Sequence, residues 1–144
     1  MNFVLDSSLA LAFVLEDEAT PVTDQVLDSL GQGAEAYVPA LWRWEVANVL
    51  CLAEHRNRIA SADTHRHMTR LKMLPMVMDD AAHDEAWNAT LQLAKRHKLT
   101  IYDAAYLELA IRRDVPLGTL DLELRAAAMT EQVPLLPPNL VRLC

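Results

Sequence analysis

TIYDAAYLELAIRRDVPLGTLD, residues 100–121, reads as a helix, a turn, a short strand and an acid at the strand's end. Thr100 is suited to cap the helix, because its hydroxyl accepts a backbone N–H that has no partner in the first turn, and no proline interrupts residues 102–113. Ala104, Leu107, Ala110 and Ile111 recur at helical spacing and predict one apolar face. Pro116 stops the helix, and Leu117-Gly118-Thr119-Leu120 is a short, mostly apolar run that fits a buried strand. Asp103 opens the helix and Asp121 closes the strand. In a parallel α/β sheet, helix starts and strand C-termini lie at the edge where ligands bind. The two carboxylates can therefore face one another across a cleft.

Outward from this stretch, strands and helices alternate. Phe3-Val4-Leu5 is a short apolar strand ending at Asp6, and Ser7 and Ser8 can cap a helix running to about Leu15. Thr20-Pro21 is a cap followed by proline at the first helical position, which predicts a helix to about Leu30. Ala36-Tyr37-Val38 reads as a second strand and residues 41–56 as a long helix. Ser61 is expected to cap a helix to about Met73, and residues 75–78 to form a strand. Asp79 or Asp80 caps one long helix over residues 81–97. After the opening stretch come a helix over residues 122–129 and a last strand over residues 133–136. Strands separated by helices predict an α/β domain with a mainly parallel sheet.

The chain has 144 residues, enough for one domain with a real core, and 52% of them are hydrophobic. Only three glycines argue against a turn-rich all-β fold. Thirteen basic against twenty acidic residues give a formal charge of −7, which disfavours broad electrostatic binding to nucleic acid. It does not disfavour an enzyme whose acids hold metal ions. Cys51 and Cys144 suggest neither a disulfide framework nor a zinc site. No stretch reads as a signal peptide or membrane span, so a cytoplasmic protein is expected.

Two further acids join Asp103 and Asp121. Asp6 stands at the end of the first strand, where it either reaches the cleft or caps the next helix. Glu45 lies in Trp44-Glu45-Val46-Ala47-Asn48-Val49-Leu50-Cys51-Leu52-Ala53, where it and Asn48 are the only polar side chains and share a helix face. A carboxylate among such neighbours is costly unless paired or bound to a cation; the plainer reading is a solvent-facing stripe. Asp103 can equally be a first-turn acid favoured by the helix dipole, and Asp121 a cap. Together, four carboxylates cannot stay ionised side by side without a counter-charge. Hard divalent cations prefer oxygen ligands, and such a site can activate water for attack on a phosphodiester. No Ser–His–Asp set or P-loop competes, the five histidines lack zinc spacing, and His65-Arg66-His67 reads as a solvated helix face.

Asp6-Ser7-Ser8 after a strand, Glu45-Val46-Ala47-Asn48-Val49-Leu50 on a helix, Tyr102-Asp103-Ala104-Ala105-Tyr106-Leu107-Glu108-Leu109-Ala110, and Thr119-Leu120-Asp121 resemble the PIN domain. More narrowly they resemble VapC-type toxins of toxin–antitoxin modules. The resemblance covers essentially the whole chain, as one domain over residues 1–144, and keeps the motif order. It implies a three-layer α/β domain with a central sheet flanked by helices, and an endoribonuclease that cleaves single-stranded RNA with Mg²⁺ or Mn²⁺. Asp6, Glu45, Asp103 and Asp121 would be the metal-site acids, supported by Ser7, Thr119 and Asn48. A homodimer and a cognate antitoxin protein follow from the same resemblance. A non-catalytic protein-binding module and a structure-specific DNA nuclease are the alternatives. An aspartyl phosphatase of the haloacid dehalogenase type would want a second Asp two residues after Asp6, where Ser8 stands. Two basic clusters offer themselves to RNA: Arg56, Arg58, Arg66, Arg70 and Lys72, and Lys95, Arg96 and Lys98.

Overall fold

Three apolar residues, Phe3–Leu5, form the middle strand of the sheet, and all three are fully buried. A computed structural model of the chain describes residues 1–140; Cys144 lies outside the described residues. In chain order the elements are β1 (Phe3–Leu5), α1 (Ser7–Ala12), α2 (Pro21–Gly31), β2 (Ala36–Pro39), α3 (Leu41–His55), α4 (Ser61–Lys72) and β3 (Met76–Asp79). There follow α5 (Ala82–Glu85), α6 (Ala89–His97), α7 (Ile101–Arg113), β4 (Leu117–Gly118), α8 (Leu122–Thr130) and β5 (Leu135–Leu136). The strand order is β3-β2-β1-β4-β5, and every pairing is parallel. Val4 pairs with Tyr37 on one side and Leu117 on the other. The chain winds outward from β1 in both directions, so the switch point lies between β1 and β4. Ligand crevices of open α/β sheets form at such a point, outside the strand C-termini.

The expected α/β class holds, with local departures: α1, β4 and β5 are shorter than the sequence suggests. Residues 81–97 are not one helix, because α5 ends at Glu85 and α6 starts at Ala89. The Asn88 side chain donates to the Asp84 carbonyl at 3.3 Å, a local bond that competes with the helical ladder. Ser61 does not cap α4. Ala60 occupies that position, and Asp63 satisfies its N–H at 3.0 Å. His67 is buried, not a solvated face, and burial pushes its imidazole below its ordinary pKa.

Helix α7 packs on β1, β2 and β4 and is flanked by α5, α6 and α8. Every residue of it between Ala104 and Ala110 is buried, so it is a core helix and not the one-faced helix that the spacing suggests; Ile111, assigned to that face, is exposed. Gly118 has to be glycine for a local reason. A Cβ there would stand 2.8 Å from Leu9 Cδ2 and 3.0 Å from the Val4 carbonyl oxygen.

The far end of α7 carries a charge network. Asp79, buried at the end of β3, accepts from Arg112 Nη2 at 2.8 Å, Arg113 Nη2 at 2.9 Å and the Ala82 N–H at 2.7 Å. Arg112 Nε also donates to Glu108 at 2.6 Å, and the Arg113 guanidinium lies 4.5 Å from the centre of the Tyr37 ring. Arg112, with Arg113 behind it, holds Asp79 down to about 2, against an ordinary 3.8. A carboxylate held low in the folded state stabilises above its unfolded value, and that stability is lost as pH falls through the folded one. Asp79→Asn is therefore expected to cost about 2–3 kcal/mol near neutral pH, at the low end for a broken buried pair because both guanidinium groups still touch water. Urea titrations of wild type and variant should converge as pH falls from about 4 towards about 2.

Candidate active site

All four acids follow strand C-termini or sit in the opening turns of helices, at the same edge of the sheet. Asp6 comes directly after β1 and is buried. Its Oδ1 accepts the Leu9 N–H at 2.9 Å, so it caps α1, and it accepts Ser8 Oγ at 2.7 Å. Its Oδ2 accepts the Thr119 hydroxyl. The capping reading and the cleft reading of Asp6 are thus both true. Burial pushes the carboxyl up to about 6; the Leu9, Thr119 and Ser8 donors oppose this, and the Asp103 charge adds to it.

Asp121 does likewise for α8. Its Oδ1 accepts the Leu124 N–H at 2.9 Å, and its own N–H donates to Thr119 Oγ1 at 3.0 Å. Thr119 therefore joins two of the acids through one buried hydroxyl. Ser8 makes a second bridge, taking the Leu120 N–H at 2.9 Å while donating to Asp6. The sequence pointed to Ser7 and passed over Ser8. Its position two residues after a strand-terminal Asp, the spacing of a hydroxyl that folds back on a cap, was the available signal. Ser7 lies near Glu45 instead, where its hydroxyl favours the ionised form.

Glu45 is half-buried in α3, and the Tyr106 hydroxyl donates to its Oε1 at 2.5 Å. Burial raises the pKa of Glu45, the Tyr106 bond lowers it, and the charge of Asp103 raises it again. Burial and the neighbouring acids keep the Tyr106 phenol protonated far above neutral pH, so it remains a donor. Tyr106 lies three residues, nearly one turn, after Asp103, within the motif that carries the resemblance, but the sequence assigned it no role at the site. Asp103 is half-buried in the first turn of α7; burial raises its pKa, and Asp121 raises it further. Its backbone N–H donates to the Thr100 hydroxyl at 3.1 Å, as the capping residue requires. Asn48 stands exposed one turn beyond Glu45, with no hydrogen bond to the acids among the described residues.

The acids thus feel one another: Asp103 acts on Asp6 and Glu45, and Asp121 acts on Asp103. Among the described residues, no lysine or arginine pairs with any of the four. Nor does any group of three or more His, Cys, Asp or Glu there stand close enough to hold a metal ion as placed. Like charges with no cation between them are expected to stand apart. The donor set itself, oxygen only and anionic, is that of a hard divalent cation.

Since Asp103 takes up its proton more readily in the folded protein than in the unfolded chain, its ionised form destabilises the fold, and increasingly so as pH rises through its raised pKa. In EDTA near pH 7.5, Asp103→Asn should be more stable than wild type, because it removes the charge that burial and Asp121 disfavour. The gain should shrink as pH falls through the raised pKa and vanish only below about 3, where the carboxyl is protonated in both states. Thermal melts across pH read the difference; a variant less stable than wild type at every pH would show Asp103 to be only a first-turn acid.

Comparison with known proteins places this geometry. The family described as the PIN domain matches residues 3–129. Ribonuclease VapC3 of Pyrobaculum aerophilum is 27% identical over 124 residues, which is 86% of this chain and 92% of that protein. Among solved structures, PAE2754 from Pyrobaculum aerophilum superposes with a TM-score of 0.65 at 21% identity, covering 88% of this chain and 84% of that one. VapBC2 from Rickettsia felis, bound to a DNA fragment from its promoter, gives 0.63 at 11% identity, covering 93% and 94%. These two likenesses concern the fold. The family match spans most of the chain, from the middle strand into α8, and includes all four acids: the chain belongs to the PIN-domain family.

Proposed function

We propose that the chain, as one PIN-like domain over residues 1–144, is an endoribonuclease that cleaves single-stranded RNA with Mg²⁺ or Mn²⁺, and the toxin of a toxin–antitoxin pair. The observation that carries this is the set Asp6, Glu45, Asp103 and Asp121 at the switch-point edge, mutually repelling and without a cationic partner among the described residues. The relative named Ribonuclease VapC3 supports the substrate class, and the VapBC2 structure supports an antitoxin partner. No helix among the described residues is long and apolar enough to cross a membrane, and a cytoplasmic setting is part of the proposal.

Asp6, Glu45, Asp103 and Asp121 would hold the cation. When bound, it supplies Lewis acidity and a water of lowered pKa at the phosphodiester. The chain's own part is orientation. Thr119 and Ser8 fix both oxygens of Asp6, and Tyr106 fixes Oε1 of Glu45. In the protein without cation, a proton at the Asp6 carboxyl is held to about pH 6, and binding must displace it.

Purified protein should cleave single-stranded RNA with Mg²⁺ or Mn²⁺ and stop in EDTA. Asp6→Asn, Glu45→Gln and Asp103→Asn are each expected to lower the rate by orders of magnitude. Thr119→Val and Tyr106→Phe, which remove supports, should lower it about 10- to 100-fold. Turnover that survives both EDTA and Asp103→Asn would rule this chemistry out.

The proposal includes a homodimer formed through α3. Trp44 is 79% exposed there, and Leu52 and Cys51 are exposed on the same helix, whereas Trp42 turns inward to the core. An exposed Trp flanked by apolar side chains is the kind of anchor that interfaces use. Light scattering should give twice 16.1 kDa at micromolar concentration for wild type and a single chain for Trp44→Ser. A single-chain mass for wild type across that range would refute the dimer.

A further inference from the structure

Trp44, Tyr102 and Leu122 are large apolar side chains left mostly exposed, and each is the chain neighbour of a site acid: Glu45, Asp103 and Asp121 in turn. Trp44 belongs to the face proposed for the homodimer. Tyr102, 61% exposed, stands closest to the chemistry. It is the second residue of α7, directly before Asp103. Four residues apart on one helix, Tyr102 and Tyr106 share a face, and Tyr106 donates to Glu45 Oε1. Helical side chains lean towards the helix N-terminus, so the Tyr102 ring overhangs the start of α7, the end at which Asp103 feels Asp121. The ring thus forms part of the rim of the acidic corner, one turn above the residue that holds Glu45 and beside Asp103.

Stability does not account for a tyrosine at this position. It is a weaker helix former than alanine, and an exposed ring gains little packing in return. An exposed apolar surface beside a polar site is a contact surface. The chemistry of the site names the ligand class. Under the ribonuclease reading a phosphodiester lies at the acids, and the bases on either side of it come within reach of side chains that adjoin those acids. The net charge of −7 gives the protein little electrostatic hold on RNA. Stacking on an aromatic face needs no charge and accepts every base. In a duplex each base is already paired and stacked on its neighbours, so a single strand is the form that can offer one.

We propose that the Tyr102 ring is the stacking platform for the base next to the phosphate held at the acids, and that this contact selects single-stranded over duplex RNA. The inference rests on the ribonuclease reading and deepens it by naming a residue that discriminates between substrates. A protein partner packed on the same ring is the competing occupant; the place of the ring at the acids, away from the α3 face, favours the base.

The test is steady-state cleavage of a short fluorogenic single-stranded RNA by wild type, Tyr102→Ala and Tyr102→Phe, in parallel with copies of the RNA in which each nucleotide in turn is made abasic. Losing a contact made equally in ground and transition states raises KM far more than it changes kcat, so Tyr102→Ala should raise KM about tenfold. Tyr102→Phe keeps the ring and should recover most of the loss. In wild type, one abasic position flanking the cut should raise KM by a similar factor. In Tyr102→Ala the same position should make no further difference, because both changes delete one contact. A merely structural tyrosine would leave every abasic penalty as it is in wild type. With wild type active, an unchanged KM in Tyr102→Ala, or no abasic position whose effect is lost in that variant, overturns the platform and leaves the ribonuclease reading intact. So does a Tyr102→Ala variant that alters only the mass seen by light scattering, which would make the ring a protein interface. If wild type does not cleave, fluorescence anisotropy with the same RNAs decides. Affinity about tenfold weaker in Tyr102→Ala, with one abasic penalty lost, keeps the platform while the nuclease reading falls; equal affinity, or no binding, overturns it. Should Tyr102→Ala fail to fold by circular dichroism, Tyr102→Leu, apolar but without a ring, carries the same test.

Discussion

A carboxylate buried at the end of the middle strand is the constraint from which this architecture is best understood. Asp6 has almost no contact with water, and an isolated ionised acid there would be prohibitively costly. Its cost is offset by donors from three places: the Leu9 N–H of α1, the Ser8 hydroxyl and the Thr119 hydroxyl beyond β4. Those donors exist only if β1 and β4 are neighbours in the observed register and α1 starts at Ser7. Gly118 makes the approach possible, since its missing side chain lets Leu9 and the Val4 carbonyl close on the strand. The buried Arg125 secures the same corner from behind, donating to the Thr119 carbonyl at 2.9 Å and the Pro137 carbonyl at 2.8 Å. The sheet order, the tightness of the β4 turn and the position of the acid are one packing solution.

That solution leaves the corner unfinished electrically. Asp6, Glu45 and Asp103 all have raised pKa values, burial being the first cause in each, and each also feels another acid. A fold selected only for stability would place a lysine there or move the acids apart. Retained repulsion at one edge is the pattern of a site that awaits a cation.

Much of this was legible in the sequence, because the signals were local. Thr20-Pro21 and Thr100 act through neighbouring backbone groups, and both cap as expected. Asp6, Asp103 and Asp121 stood out because each sits where a strand ends or a helix begins, a position set by a few residues, and Glu45 because it and Asn48 are the only polar side chains in an apolar helical run. What was missed depends on partners distant in sequence. Ser8 matters because Leu120 and Thr119 arrive 112 and 111 residues later. Tyr106 matters because Glu45, 61 residues earlier, faces it. The even burial of α7 could not be read from its own periodicity, because it results from three other helices closing over a helix laid on the sheet. His67 looked solvated for the same reason: its charged neighbours in sequence, Arg66 and Arg70, point elsewhere, while its own ring turns inward.

The distribution of paired and unpaired charge along α7 links stability to function. At its C-terminus, Arg112 and Arg113 stand where the helix dipole favours cations and are tied to Asp79, with Glu108 joining through Arg112. At its N-terminus, Asp103 stands where the dipole favours an anion but has no cationic partner among the described residues. The dipole offsets part of the repulsion from Asp121 without neutralising it, since half a charge spread over backbone N–H groups cannot balance four carboxylates. One end of the helix therefore fastens the sheet while the other keeps anionic valence in reserve. The net charge of −7 sits beside this division: Arg58, Arg66, Arg96, Arg112 and Arg113 are engaged in ion pairs, and none of the basic side chains is spent on the four acids among the described residues. With a net charge of −7, the overall field does not draw in an anionic ligand, so under the proposed function the attraction has to come from a cation held at the acids.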